Sequence, residues 1–254
     1  MGKPTNRPPD YGNWVSKKLL YGSGALALLF WGLSFLLPGL AIGAVFFFIT
    51  FAYLVYARAK FSPTGGNLQI RIRDLVLDRL NWDGHGEALD IGCGNGPLTI
   101  QAAKKYKDAT VIRIDMWSSA WEYSQEDCEK NAILEGVSER VTFQKASASR
   151  LPFNDERFDA VVSNFVFHEV SDTKDKRDLI REALRVVKKG RVFSFQDFFL
   201  VKKIYGETNE LLETIRDWGI ESVDFLRTND LDFIPWALKL PFMVGEIGII
   251  YGRK

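Results

Sequence analysis

Soft metal ligands are scarce in this chain: its 254 residues include two cysteines and two histidines. Cys93 and Cys128 lie far apart, without the spacing of a zinc site, and so sparse a use of cysteine suits a reducing compartment. No metal centre is expected. An excess of one charge is also missing, because 33 Lys and Arg face 32 Asp and Glu for a formal charge of +1. No global field therefore draws the chain to nucleic acid. A basic cluster at Lys174, Lys176, Arg177, Arg181, Arg185, Lys188 and Lys189 leaves two readings open: a solvated helix face, or contact with an anionic leaflet. Met1-Gly2 is followed by Asn6 where a myristoylation pattern needs Ser or Thr, so that pattern fails.

Charge of either sign is absent from Leu19 to Ala57. One membrane-spanning helix needs about 20 apolar residues, so the run is long enough for two. Pro38-Gly39 near its middle is a turn signal that splits it into Leu19–Leu37 and Leu40–Ala57. Lys17 and Lys18 precede the run, and Arg58 and Lys60 follow it. By the positive-inside rule both flanks stay cytoplasmic, giving a helical hairpin with both termini on the cytoplasmic side. A hairpin that enters only one leaflet remains open. Trp14, Tyr21, Tyr53 and Tyr56 are expected at the membrane interface, and Gly22, Gly24, Gly32 and Gly43 are expected to let the helices approach. The resulting organisation is a polar tail over 1–18, a two-helix transmembrane hairpin over 19–57, a connecting amphipathic helix over 58–80 and an α/β domain over 81–254.

The α/β domain carries the chemistry. In Glu87-Ala-Leu-Asp-Ile-Gly-Cys-Gly-Asn-Gly96 an apolar strand runs into a turn with glycines at 92, 94 and 96, and Pro97 suits the first turn of a helix. Missing Cβ atoms let a ligand approach the backbone and permit the dihedrals of a tight strand-to-helix bend. Val111-Ile-Arg-Ile-Asp115 reads as the next strand, ending in a carboxylate placed to accept hydrogen bonds from a ribose diol. The glycine spacing differs from the dinucleotide fingerprint, and no Lys-Ser or Lys-Thr follows, which excludes a phosphate-gripping loop.

These segments resemble class I S-adenosylmethionine-dependent methyltransferases. So do Arg150-Leu-Pro-Phe-Asn-Asp-Glu-Arg-Phe-Asp-Ala-Val-Val-Ser-Asn164, Phe167-His-Glu-Val170 and Arg181-Glu-Ala-Leu-Arg-Val-Val-Lys-Lys-Gly190. The resemblance covers roughly Asn81 to Lys254. It implies an α/β fold with a doubly wound, mostly parallel seven-stranded sheet whose last strand is antiparallel. Strands are predicted at Ala88–Ile91, Thr110–Ile114, Val141–Gln144, Phe158–Ser163, Val192–Gln196, Ser222–Leu226 and Gly245–Tyr251. Helices are predicted to start near Asn67, Pro97, Ser119, Thr173 and Thr208.

The resemblance also implies S-adenosyl-L-methionine as cofactor. Residues Asp90, Gly92, Cys93, Gly94, Asn95 and Gly96 would cradle its methionine portion. Asp115, Met116 and Trp117 would hold the ribose side, Ser147 and Ala148 would face the adenine, and Asn164 would line the site beyond the fourth strand. Two positions depart from the family pattern: Arg113 stands where many relatives have Gly, and Ser147 where many have an acid. Trp117, Trp121 and Tyr123 are read either as helix packing or as an aromatic wall near the sulfonium. His168 is the expected general base, because its reference pKa of about 6.5 suits neutral pH, with Glu169 or Asp197 orienting or replacing it.

The expected activity is methyl transfer to a small, apolar or lipid-like acceptor at a membrane, with no nucleic-acid partner. A catalytically silent membrane scaffold and a membrane-tethered protein methyltransferase are the alternatives. The near-terminal stretch Phe233–Met243 is expected to contact the bilayer, roof the pocket or fill the core.

Overall fold

Burial on both faces explains why the stretches 88–91, 111–114 and 158–163 are among the most buried runs of the sheet. The computed structural model describes residues 9–116 and 125–254. The chain divides into two compact units, Gly12–Ile72, and Met1–Tyr11 together with Arg73–Lys254.

The larger unit holds a seven-stranded sheet of order β3-β2-β1-β4-β5-β7-β6. Its strands are β1 (Gly86–Ile91), β2 (Ala109–Asp115), β3 (Val141–Lys145), β4 (Phe158–Asn164), β5 (Val187–Asp197), β6 (Ser222–Arg227) and β7 (Gly248–Arg253). Strands β1 to β5 pair in parallel, and β7 runs antiparallel to both β5 and β6. The expected doubly wound, mostly parallel seven-stranded sheet is borne out. Strand β5 begins earlier than expected, because Val187 already pairs with Phe158 before a register shift between Phe158 and Ala160. The strand order reverses between β1 and β4, and such a switch point opens a crevice beyond the carboxyl ends of the strands.

Neighbouring residues in each strand feed opposite layers. Leu89, Ile112, Val161 and Phe193 pack on one side with α6 (Arg177–Arg185), through Leu179, Ile180, Ala183 and Leu184. Ala88, Val111, Ala160 and Val192 pack on the other with α4 (Pro97–Lys105), through Leu98, Ala102 and Ala103. The second layer also takes Val76 and Leu77 from the end of α3 (Leu68–Asp78). Helix α5 (Gln125–Leu134) follows β2; its expected start near Ser119 lies outside the described residues. Two further helices, α7 (Lys202–Tyr205) and α8 (Thr208–Asp217), lead to the antiparallel pair.

The basic cluster is largely consumed by local partners rather than forming a free positive face. Arg177 pairs with Asp175, Arg185 with Asp155 and Glu182, and Lys188 with Asp159. Lys176 donates to the carbonyls of Val170 and Thr173. In the near-terminal stretch, Ile234 and Leu238 are buried while Trp236 and Phe242 are exposed, so it fills core and presents apolar surface together.

The smaller unit is a helical hairpin of α1 (Lys17–Ser34) and α2 (Ala41–Phe61), joined by a turn at Pro38–Leu40. The Ser16 hydroxyl caps α1 by accepting from the Leu19 amide at 3.2 Å. Gly43 and Gly24 are the close-approach glycines: a Cβ on Gly43 would lie 2.3 Å from the Phe30 ring, and one on Gly24 would lie 3.2 Å from Phe51. Gly22 and Gly32 meet nothing within 4 Å, which corrects the expectation that all four serve the helix contact. Trp14 packs on Phe61 with ring centroids 5.2 Å apart. Pro38–Phe61, with mean hydropathy 2.2, is the one helix among the described residues long and apolar enough to cross a membrane. Helix α1 begins with two lysines and does not meet that measure, although Leu28, Leu29, Trp31 and Phe35 on it are exposed.

Candidate active site

Three glycines with positive φ, Gly92 (+72°), Gly94 (+54°) and Gly96 (+87°), turn the chain from β1 into α4. The Gly92 and Cys93 amides donate to the Ile114 carbonyl at 2.8 and 3.1 Å, which holds the bend against the end of β2. The Gly94 amide donates to Asp115 Oδ2 at 2.8 Å. The carboxylate singled out for a ribose therefore sits directly on the glycine bend. A Cβ at Gly92 would lie 2.1 Å from Val166 Cγ2, so this bend is in van der Waals contact with the loop after β4.

Positive φ costs a non-glycine residue about 1–2 kcal/mol, and overpacking a tight contact costs about 1–3 kcal/mol. Gly92→Ala is accordingly expected to destabilise the chain by about 2–5 kcal/mol in denaturant titration. Adding Val166→Ala should recover only the packing share. An unchanged midpoint for the single variant would contradict this geometry.

Several side chains around the bend are buried and serve to hold it. Asp90 is 1% exposed, and its Oδ2 accepts from Thr99 Oγ1 at 2.5 Å. Burial pushes its pKa up to about 6, against the Thr99 hydrogen bond and the Arg113 charge. Cys93 is buried with its Sγ 3.9 Å from that of Cys128, and burial raises its thiol pKa well above the usual range. Asn95 turns its amide away from the bend, donating to the Asp10 carbonyl at 2.9 Å. Met116 is half-exposed beside Asp115, whereas Trp117, Trp121 and Tyr123 lie outside the described residues.

Arg113 explains its own departure from the family pattern. It is 2% exposed and donates from Nη1 to Cys128 Sγ at 2.6 Å, and that Nη1 would lie 3.2 Å from a Cβ on Gly96. The long side chain fills the space beneath the bend and ties it to α5.

Beyond β3, the Ala146 amide donates to the Asp115 carbonyl at 3.2 Å, bringing the loop of Ser147 and Ala148 beside Asp115. Ala148 is buried. The Ser147 and Ser149 hydroxyls both donate to Asp172 Oδ2, at 3.1 and 2.7 Å. Beyond β4, the buried Asn164 Oδ1 has no partner among the described residues. Phe165 follows with φ +58°, its amide donating to the Gln196 carbonyl at 2.8 Å. Non-glycine residues in this region cost of order 1–3 kcal/mol and cluster at functional sites.

His168, Glu169 and Asp197 come together as expected. His168 Nδ1 lies 2.6 Å from Asp197 Oδ1 and its Nε2 lies 3.1 Å from Glu169 Oε1. Asp197 is fully buried, and its Oδ1 also accepts from the Phe198 amide at 2.7 Å. Burial disfavours the charged ring, but the hydrogen bonds and charges of Asp197 and Glu169 outweigh it, and the His168 pKa is raised above 6.5. Phe198 packs edge-on against His168 at 4.6 Å, with Phe165 behind it at 5.3 Å. Tyr205 is buried near Asp197, and burial with that charge pushes its phenol far above the usual range.

Several residues escaped sequence reasoning. Asn131, on α5, donates to the carbonyls of Asp10 at 2.9 Å and Asn95 at 3.0 Å, and its Oδ1 accepts from the Asp10 amide at 3.1 Å. It thereby straps an N-terminal segment to the glycine bend. The only sequence sign of it was an asparagine at an otherwise apolar position of a helix. Thr99 was visible as a hydroxyl one turn into α4, opposite the strand acid. The aromatic pair Phe165 and Phe198 carried no pattern, because it is assembled from two loops.

Residues 89–195 match the family model described as a methyltransferase domain. The chain is 34% identical over 158 residues to 27-O-demethylrifamycin SV methyltransferase of Amycolatopsis mediterranei, covering 62% of this chain and 55% of the relative. It is 31% identical over 117 residues to a ubiquinone/menaquinone biosynthesis C-methyltransferase of Rickettsia felis, covering 46% of each. The chain thus spans about half the length of these curated relatives. Among solved structures, geranyl diphosphate C-methyltransferase from Streptomyces coelicolor A3(2) superposes with a TM-score of 0.56 at 16% identity, covering 80% of each chain. That likeness concerns the fold.

Proposed function

We propose, taking residues 89–195 as a methyltransferase domain that works with S-adenosylmethionine, that this chain transfers a methyl group to a small, apolar, lipid-like acceptor at a membrane. The observation that carries the reading is the joining of two half-sites at the switch point: Asp115 on the glycine bend, and the His168–Asp197 pair two residues beyond the Val166 contact.

The residues fit the cofactor. A cradle at Gly92 that a Cβ would fill, a carboxylate at its rim and an unpartnered buried acceptor at Asn164 offer a backbone surface, a diol acceptor and an ammonium acceptor. Asp115 would hold the ribose hydroxyls, and Asn164 with the bend would hold the methionine end. When bound, S-adenosylmethionine supplies an electrophilic methyl group on a sulfonium.

The chain's own contribution is orientation, a dry wall and a proton acceptor. Phe165 and Phe198 exclude water beside His168. Neutral His168 takes the acceptor's proton at Nε2, the ring nitrogen 3.1 Å from the half-exposed Glu169, which stabilises the charge that forms there. Asp197 keeps the ring oriented through Nδ1 and stabilises the imidazolium that forms.

The membrane part of the proposal rests on the hairpin, whose outward faces carry Leu28, Trp31, Ile42, Phe46 and Ile49. A continuous apolar surface of this kind marks contact with lipid or a partner. We place the catalytic unit and both termini on the cytoplasmic side. The 27-O-demethylrifamycin SV and quinone-pathway relatives carry acceptor names that agree with a small organic acceptor. The full chain is expected to resist alkaline carbonate extraction from membranes, and in nanodiscs to methylate a lipid extract from S-adenosylmethionine labelled in its methyl group. Complete release by carbonate would sink the membrane reading, and absence of S-adenosylhomocysteine binding by calorimetry would sink the enzyme reading.

A further inference from the structure

The loop after β3 lacks the acid that the resembled family often places there, and Ser147 occupies its position. The missing charge is present in space. Asp172, from the loop after β4, brings Oδ2 within 3.1 Å of the Ser147 hydroxyl and 2.7 Å of the Ser149 hydroxyl. The Ser147 oxygen also accepts from the Ser149 amide at 3.2 Å, so the two serines form a fixed seat for one carboxylate oxygen. The Ser149 hydrogen bond is the main cause of a lowered Asp172 pKa, with Ser147 adding to it, and the group is anionic at neutral pH. Its other oxygen has only a 3.5 Å contact with Thr173 Oγ1. The seat lies beside the ribose acid, because Ala146, one residue before Ser147, donates to the Asp115 carbonyl.

We infer that Asp172 is the residue that recognises the adenine of the bound nucleoside, accepting from the exocyclic amino group in place of the absent loop acid. The inference rests on the cofactor reading above and adds to it a specificity-determining residue. A carboxylate accepts an N–H more strongly than a serine hydroxyl does, and a neutral serine whose proton is committed to Asp172 has little left to distinguish an amino group from a carbonyl. Hypoxanthine, with a carbonyl oxygen where adenine has the amino group, places lone pairs against the Asp172 charge and is rejected. The two serines are then positioning residues, and their role is to aim the carboxylate.

The test is calorimetric titration of the full chain with S-adenosylhomocysteine and with S-inosylhomocysteine, its deaminated counterpart. The unaltered chain is expected to favour the adenine form by about tenfold to a hundredfold, the range of one charge-assisted hydrogen bond. Asp172→Asn, which can donate to a carbonyl, is expected to weaken the adenine form by about tenfold and to erase or invert the preference. Adding Ser147→Asp to Asp172→Asn returns a carboxylate to the seat and is expected to restore the preference for adenine. A purely structural Asp172 would change both affinities together and leave their ratio intact, and that result overturns the inference. So does an unaltered chain that binds both forms equally. Failure of the unaltered chain to bind either form is a separate result, which removes the cofactor reading itself and this assignment with it. If Asp172→Asn does not fold, Ser147→Ala with Ser149→Ala supplies the same ratio measurement, and an unchanged ratio there overturns the aiming role.

Discussion

Asp115→Ala is expected to raise the Kd for S-adenosylhomocysteine by about a hundredfold or more, the consequence of losing two charge-assisted hydrogen bonds worth about 1.5–3 kcal/mol each. The side chain has a second task in the free protein, because its Oδ2 accepts from the Gly94 amide at 2.8 Å. Removing it leaves that amide without its carboxylate and loosens the cradle as well as the sugar contact. Asp115→Asn keeps an acceptor oxygen without the charge and should fall between, at about tenfold. Ligand-induced stabilisation gives an independent measure: at a hundred times Kd the unaltered chain gains about 2.7 kcal/mol, and the Ala variant at the same concentration should gain little. A Kd for Asp115→Ala within twofold of the unaltered value would mean that the nucleoside is held elsewhere, and the site would have to be redrawn.

What was legible in the sequence is what is local. The signature of the bend from β1 to α4 lies within residues 90 to 97, and glycine is needed there for the positive φ of Gly92, Gly94 and Gly96. The parallel sheet was legible because strand patterns alternate with helical ones, and β4 and the 192–196 half of β5 are buried throughout. The carboxyl-end rule then placed Asp115, Asn164, His168 and Asp197 at one edge of the sheet.

What escaped depends on partners remote in sequence. Nothing near Ser147 announces Asp172, and nothing near Asn95 announces Asn131 or the backbone of Asp10. Arg113 looked like a flaw in a pattern, because its length, which lets it fill the floor beneath Gly96 and reach Cys128, matters only in three dimensions. The hairpin shows the same limit. Its existence follows from the charge-free run and Pro38-Gly39, but the glycines that seat a phenylalanine are set by the rotation of each helix, which composition does not encode.

The His168–Asp197 pair makes the other large prediction. If His168 is the proton acceptor, His168→Gln should lower kcat by about 10²–10⁴-fold, the usual contribution of a positioned base, while the Kd for S-adenosylhomocysteine stays within about twofold. The base works when neutral, so kcat/KM should fall as pH drops through the raised His168 pKa, with the acid limb centred above 6.5. Asp197→Asn removes the charge that holds this value up, and the limb should move toward lower pH as kcat declines. Stability runs the other way. A histidine whose folded pKa is raised stabilises the fold fully below about 6.5, and that contribution fades as pH rises through the folded value. The unaltered chain should therefore lose stability over the same pH window in which it gains activity, and Asp197→Asn should flatten the first trend while shifting the second. Measured together, unfolding midpoints and kcat/KM from pH 5.5 to about 8.5 separate a catalytic pair from a merely structural one. A structural pair would show the stability trend alone, with a pH profile for methyl transfer that ignores the loss of Asp197.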